Sequence, residues 1–183
     1  MTHRKLMLAL LAGSFSCAPV FATSVSAAGG DGSAGIDFGV PLSSGLRADL
    51  GYLKTSDRRG DADVYSAALM VVPATRDIHW EIGARYQYQD ARYASGGGVG
   101  LGGSVDIPTG IRWLSFGGYG FYTPEALTHG DMNHGYDIGA QLRVRLGSSV
   151  SVFGGYRHMR TEFDGTGSHD LYKGPMFGIH VGL

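Results

Sequence analysis

The sequence predicts an all-β protein, a transmembrane antiparallel β-barrel of eight strands preceded by a short extra strand or plug segment. Three observations carry this. Several stretches alternate strictly between apolar and polar residues, the period of a strand and not of a helix. The connections between them alternate between short and long. The last ten residues, Gly174 to Leu183, form one more alternating strand that ends on an apolar residue.

The elements follow in chain order. His3, Arg4 and Lys5, the apolar stretch Leu6 to Ala12 and the small-x-small site Val20-Phe21-Ala22 read as a secretory signal over residues 1–22. Val25-Ser26-Ala27 offers a later cut, so cleavage could fall as late as residue 27. Cys17, the only cysteine, leaves with the signal. Residues 23–183 form one barrel domain. In it, Ser33 to Val40 alternates (Ile36, Phe38 and Val40 on one face) but would be a ninth strand. Nine strands cannot leave both ends on one side of a membrane, so this segment is expected in the lumen, at the periplasmic rim, or in a larger barrel.

Barrel strands are expected from about residue 46. Leu46 to Leu53 sets Leu46, Ala48, Leu50 and Tyr52 against Arg47, Asp49 and Gly51. Asp63 to Val72 is apolar on both faces. Ile78 to Tyr88 is the clearest strand, with Ile78, Trp80, Ile82, Ala84, Tyr86 and Tyr88 opposite His79, Glu81, Gly83, Arg85 and Gln87. Val99 to Ile107 is a weaker copy, and Ile111 to Tyr122 is again apolar on both faces. Tyr136 to Leu146 opposes Ile138, Ala140, Leu142 and Val144 to Asp137, Gly139, Gln141, Arg143 and Arg145. Val150 to Tyr156 and the final stretch complete eight. The segments 54–61, 89–97, 123–133 and 161–173 read as long loops, and 73–77, 108–110 and 147–149 as short turns. That asymmetry is expected of an outer-membrane barrel with its long loops outside.

Composition excludes several other classes. There are 15 basic and 16 acidic residues, and without Arg4 and Lys5 the basic count falls to 13, no surplus for nucleic acid. Glycine is abundant at 31 residues, but with 6 prolines and no G-X-Y period the chain is not collagen-like. Beyond the signal no run approaches the ~20 apolar residues of a spanning helix.

These segments resemble the YfaZ-type outer-membrane proteins of Gram-negative bacteria. The resemblance rests on G-I-D-F-G-V near the start, G-F-Y-T-P-E-A-L at Gly120 to Leu127, and D-I-G-A-Q-L-R-V at Asp137 to Val144. V-S-V-F-G-G-Y-R at Val150 to Arg157 and G-P-M-F-G-I-H-V near the end complete it. It implies export through a cleaved signal to the cell outer membrane, and no catalytic residues. The final strand also resembles the C-terminal signal read by the outer-membrane insertion machinery, with Leu183 in the usual aromatic place.

If the apolar faces meet lipid, the lumen holds Arg47, Asp49, His79, Glu81, Arg85, Asp106, Asp137, Gln141, Arg143, Arg145 and Arg157. A barrel of eight strands is filled by its own side chains, so these are expected to form an ion-pair network in place of a hydrophobic core. Arg85 and Arg143 should each face a carboxylate drawn from Glu81, Asp49 and Asp137. The expected role is structural or surface-interacting. The alternatives are a narrow porin-like channel and a lipid A-modifying hydrolase.

For the hydrolase, His158 lies on the lipid face near the outer leaflet, but the place of a serine nucleophile is taken by Arg160, and Thr161 points the other way. Tyr156, His158 and Arg160 instead suit contact with the phosphates of lipopolysaccharide. Glu125, His129, Asp131 and His134 match no closed zinc spacing, and Asp164 to Asp170 lacks the EF-hand's glutamate and helices. Gly96 to Gly103 has no helix after it to make a phosphate loop. No metal or cofactor is expected, and the partners are outer-membrane lipid and lipopolysaccharide.

Overall fold

The computed structural model describes residues 23–57, 60–75, 78–92 and 94–183; the leader expected over residues 1–22, with Cys17, lies outside them. Eleven strands are formed: β1 Ser24–Gly30, β2 Ser33–Ser43, β3 Leu46–Asp57, β4 Gly60–Val71, β5 His79–Ala91, β6 Ser95–Pro108, β7 Leu114–Thr123, β8 Thr128–Gly130, β9 Met132–Arg145, β10 Val150–Phe163 and β11 Gly167–Gly182. All pairings are antiparallel. β1 through β7 pair in sequence, β7 pairs β9, and β9, β10 and β11 follow. β11 then pairs β1, from Ser24 opposite Gly182 to Gly30 opposite Met176, and closes a ten-stranded barrel. The three-residue β8 is additional and lies along Gly96–Gly98 of β6, past the end of β7.

The strand count is therefore ten and not eight. Of the three places expected for Ser33 to Val40, the larger barrel holds: the segment is β2, a full member of the wall. Barrel strands begin at Ser24, not near residue 46. Parity is kept because β1 supplies a second unforeseen strand. Both described ends meet at one end of the barrel, where Leu183 N–H donates to the Thr23 carbonyl at 2.7 Å. That end is called the terminal end here, and the opposite one the hairpin end.

The expected long loops are mostly strand. Lys54 to Asp57 extends β3, β5 runs to Ala91, and 161–173 is shared by β10, a turn at 164–166, and β11. Polar residues mark where a strand leaves the apolar zone, not where its hydrogen bonding stops. Segment 123–133 does turn, through the 3-10 helix Glu125–Leu127 and then β8. Ile111 and Trp113, assigned to a strand, lie in the turn before β7.

Side chains alternate between the two faces as the period requires. Outward come Phe38, Leu50, Leu69, Ile82, Leu101, Phe116, Ile138, Leu142 and Phe177, all exposed. This belt ends toward the hairpins in a row of tyrosines, Tyr52 opposite Tyr65, Tyr65 opposite Tyr88, and Tyr122 opposite Tyr136. Trp80 and Trp113 are exposed toward the terminal end. Ile78 to Tyr88 spans about 34 Å of strand at ~3.4 Å per residue. At a tilt near 40° that is about 26 Å of depth, the height of an outer-membrane apolar band.

Inside, large side chains are seated over glycines of the neighbouring strand. A Cβ at Gly139 would come within 2.5 Å of the Tyr119 ring, and one at Gly178 would clash with the Phe153 ring. Toward the hairpin end the lumen is filled by an apolar cluster of Ala62, Val64, Met132, Met159, Phe163, Leu171 and Tyr172. A β-bulge where Met159 gives way to Arg160 inserts Leu171 into β11, so that Leu171 and Tyr172, adjacent in sequence, are both buried.

Candidate functional sites in the lumen and at the rim

The polar lumen residues occupy the other part of the barrel and form three groups. In the first, near the terminal end, Arg47 lies 2.9 Å from Asp49 and 2.8 Å from Glu81. In the second, at mid-depth, Arg157 forks onto Asp137, with Nε donating to Oδ1 at 2.9 Å and Nη2 to Oδ2 at 2.8 Å. Arg85 donates to the same carboxylate at 2.7 Å and stacks 4.0 Å over the Phe121 ring. Tyr119 adds a hydroxyl at 3.3 Å. In the third, Arg143 lies 3.4 Å from Asp106.

The structure thus brings together Arg47 with Asp49 and Glu81, Arg85 and Arg157 with Asp137, and Arg143 with Asp106. Arg85 takes Asp137 as foreseen, while Arg143 takes Asp106, which stood outside its expected pool, and Glu81 pairs Arg47. Gln141 lines the cavity between these groups. Arg145 and His79 are exposed at the terminal-end rim, and Arg145 joins no ion pair among the described residues.

Three lumen residues were missed. Asp37 of β2 projects into the cavity and feels Arg157 and Arg85 across it without a direct ion pair among the described residues. Its place could have been read from alternation, since Ile36 and Phe38 face lipid; counting eight strands from residue 46 left the segment unassigned and hid it. Tyr119 lay in a stretch whose phase was unassigned. His180, on the polar face of the last strand, was left out of the lumen set, and only its partner Ser26, 2.8 Å away, needed β1 to be recognised.

A cavity of about 390 Å³ runs beside the network. Serines 24, 26, 33 and 66 line one wall, and Tyr119, Phe121 and Phe153 the other. Exposure falls along it, from 35% for Arg47 and 32% for Arg143, through 14% for Arg85, to 1% for Asp137. Solvent therefore reaches the lumen from the terminal end, and the apolar cluster stands across the other.

On the outer surface, His158 and Arg160 of β10 gather around Asp170 of β11. His158 Nε2 lies 3.1 Å and Arg160 Nη1 3.9 Å from Asp170 Oδ1. The apolar belt of β11 ends at Phe177, so Asp170 stands beyond it. The His158 contact, followed by the fields of Arg160 and Lys173, holds its carboxyl below the usual carboxylate range. Tyr136 meets His158 edge-on at 5.2 Å, and Tyr156 is exposed below.

The other candidates disperse. His129 hydrogen-bonds Tyr86 at 2.8 Å and stacks on Tyr88, Asp131 accepts from the Ser95 N–H, and His134 lies 3.6 Å from Glu162. Glu125 sits apart in the 3-10 turn. No group of three possible metal ligands occurs among the described residues. Asp164 to Thr166 is a hairpin turn and Gly167 to Asp170 begins β11, with Gly165 and Gly167 at positive φ.

The family model of the YfaZ precursor matches residues 3–182, nearly the whole chain. The chain belongs to the YfaZ precursor family. No curated protein matches it. Among solved structures, the N-terminal β-barrel domain of Pseudomonas aeruginosa OprF is similar to this YfaZ-family chain at 12% identity and a TM-score of 0.44, covering 88% of this chain and 97% of that one. The KdgM porin, in complex with disordered oligogalacturonate, matches at 8% identity and 0.45, covering 88% and 99%. The NanC porin matches at 11% and 0.44, covering 90% and 99%. Family and belted barrel together support a general outer-membrane role for this YfaZ-family protein.

Proposed function

We propose that the protein is a structural outer-membrane barrel, closed at rest, with its hairpin end outward. The outward assignment rests on the strands that run past the tyrosine row at that end, as the extracellular side of such barrels requires. The observation that carries the closed state is the pair of layers inside. An ion-pair layer opens toward the termini, and an apolar layer with Met159 at 1% and Phe163 at 3% exposure stands across the hairpin end. Ions cross apolar constrictions poorly because these dewet. The last strand, β11, is the segment the insertion machinery would read.

A channel is the second reading, favoured by the cavity, and it requires Met159 and Phe163 to move. A hydrolase finds less support. Thr161, the aliphatic hydroxyl nearest His158 along the chain, faces the lumen at 1% exposure, away from lipid. Conductance of the refolded protein in a planar bilayer separates the first two readings. The expected trace is quiet, with rare brief openings at most, and steady ohmic conductance would overturn the closed barrel.

A further inference from the structure

We propose that the outward face of β10 and β11 at the hairpin end binds a phosphate of an outer-leaflet lipid headgroup. Arg160 and Lys173 are the anchoring cations, and Asp170 is the built-in competitor. The proposal rests on the outward assignment of that end.

The strand register makes the patch. His158 stands opposite Lys173 and Arg160 opposite Asp170, with the bulge between these two pairs. The bulge turns Leu171 into the core and leaves Lys173 and Asp170 on the same outward face as His158 and Arg160. Lys173 was assigned to a loop from sequence and did not figure in any site. Two permanent cations and a histidine thus surround one carboxylate. Glu162, two residues further along the same face of β10, is a second carboxylate; it accepts from the Ser168 hydroxyl at 3.0 Å, lies 3.6 Å from His134 of β9 and makes no ion pair with Arg160 among the described residues.

The patch is not saturated by its own pairing. Arg160 is 45% exposed and only reaches Asp170 at 3.9 Å, long for a charge-assisted hydrogen bond. Its planar fork remains available to a bidentate acceptor such as phosphate, and Lys173 adds a point charge beside it. The tyrosines around it, Tyr136 and Tyr156, mark the depth at which headgroup phosphates lie. Elsewhere on the rim, Lys54 faces Asp63 at 3.9 Å. If Arg160 merely extends into water, Asp170 has no bearing on lipid; if it holds phosphate, Asp170 opposes binding.

Native mass spectrometry of the protein in detergent tests this, using lipid A with both phosphates and the same lipid A with its phosphates removed. Wild type should retain the phosphorylated form about tenfold better, the worth of one charge-assisted contact. Arg160→Ala/Lys173→Ala should lose that preference, Asp170→Asn should raise it, and Lys54→Ala should keep it. Equal retention of both lipids by wild type overturns the proposal, as does a preference that survives the double substitution or falls equally in Lys54→Ala. Displacement by inorganic phosphate at the lipid's own concentration would reassign the patch to free anions and equally overturn the lipid site. A heat-dependent shift on SDS gels verifies that each variant is folded. Labelling of Thr166→Cys in intact cells by an impermeant maleimide reports orientation separately. An unlabelled cysteine sinks the outward assignment and leaves the micelle result to be judged alone.

Discussion

Asp137 receives Arg85 and Arg157 together at 1% exposure, so its charge is what keeps two guanidiniums in the lumen. Asp137→Asn keeps the shape and removes the charge, leaving both arginines under-neutralised. Breaking a buried pair in this way costs about 3–5 kcal/mol, and urea unfolding in lipid vesicles should show a loss of that size. Asp37→Asn is the contrasting case. Its carboxylate faces the cavity without a direct ion-pair partner among the described residues, so the change should cost about 1 kcal/mol or less. Equal losses from the two substitutions would mean that Asp37 is tied into the network as tightly as Asp137. A third substitution, Glu81→Ala, releases one of Arg47's two carboxylates and should fall between them, because Asp49 remains 2.9 Å away.

Among the elements, β1 matters out of proportion to its length. Its seven residues join β11 to β2 and complete the ring. Cleavage after Ala27 would remove Ser24 to Ala27 and with them four of the seven residue pairs of the seam, whereas cleavage after Ala22 leaves β1 whole. N-terminal sequencing of the membrane-bound protein should therefore begin at Thr23; a start at Ala28 would show that the ring closes without most of β1. The sequence hid this strand for a physical reason. S-V-S-A-A-G-G carries no large apolar side chain to mark a face, and it abuts a leader whose own boundary was ambiguous. Once β1 was missed, parity argued Ser33 to Val40 out of the wall, so one omission became two. The belt and the lumen-facing set were legible because alternation reports faces directly. Partners were not: Arg143 reaches Asp106 two strands away, across β7, and that depends on register, which one sequence does not reveal.

For the whole molecule, the division of the lumen is what ten strands require of this sequence. A ring of ten is wider than the eight its side chains were expected to fill, and the extra width persists as the cavity beside the ion pairs. In the proposed closed state the apolar cluster, and not the circumference, is what blocks the lumen. As a closed ring the barrel leaves no run of unpaired edge along the membrane, so unboiled samples in SDS should migrate differently from boiled ones; identical migration would contradict a closed barrel. Closure of the lumen makes a sharper demand. Met159 and Phe163, on β10, stand in the seal, and Met159 lies next to Thr161 on the same inward face. Truncating both, Met159→Ala with Phe163→Ala, removes apolar volume where the lumen is dry and leaves the arginines and carboxylates untouched. The expected outcome in planar bilayers is steady conductance from a barrel that keeps its heat-shifted mobility. The same two truncations made on the lipid face, at Ile82 and Leu142, should leave the bilayer quiet. A silent double variant that is still folded would place the block in the ion-pair layer instead, and Asp137 would then be the residue that closes the pore.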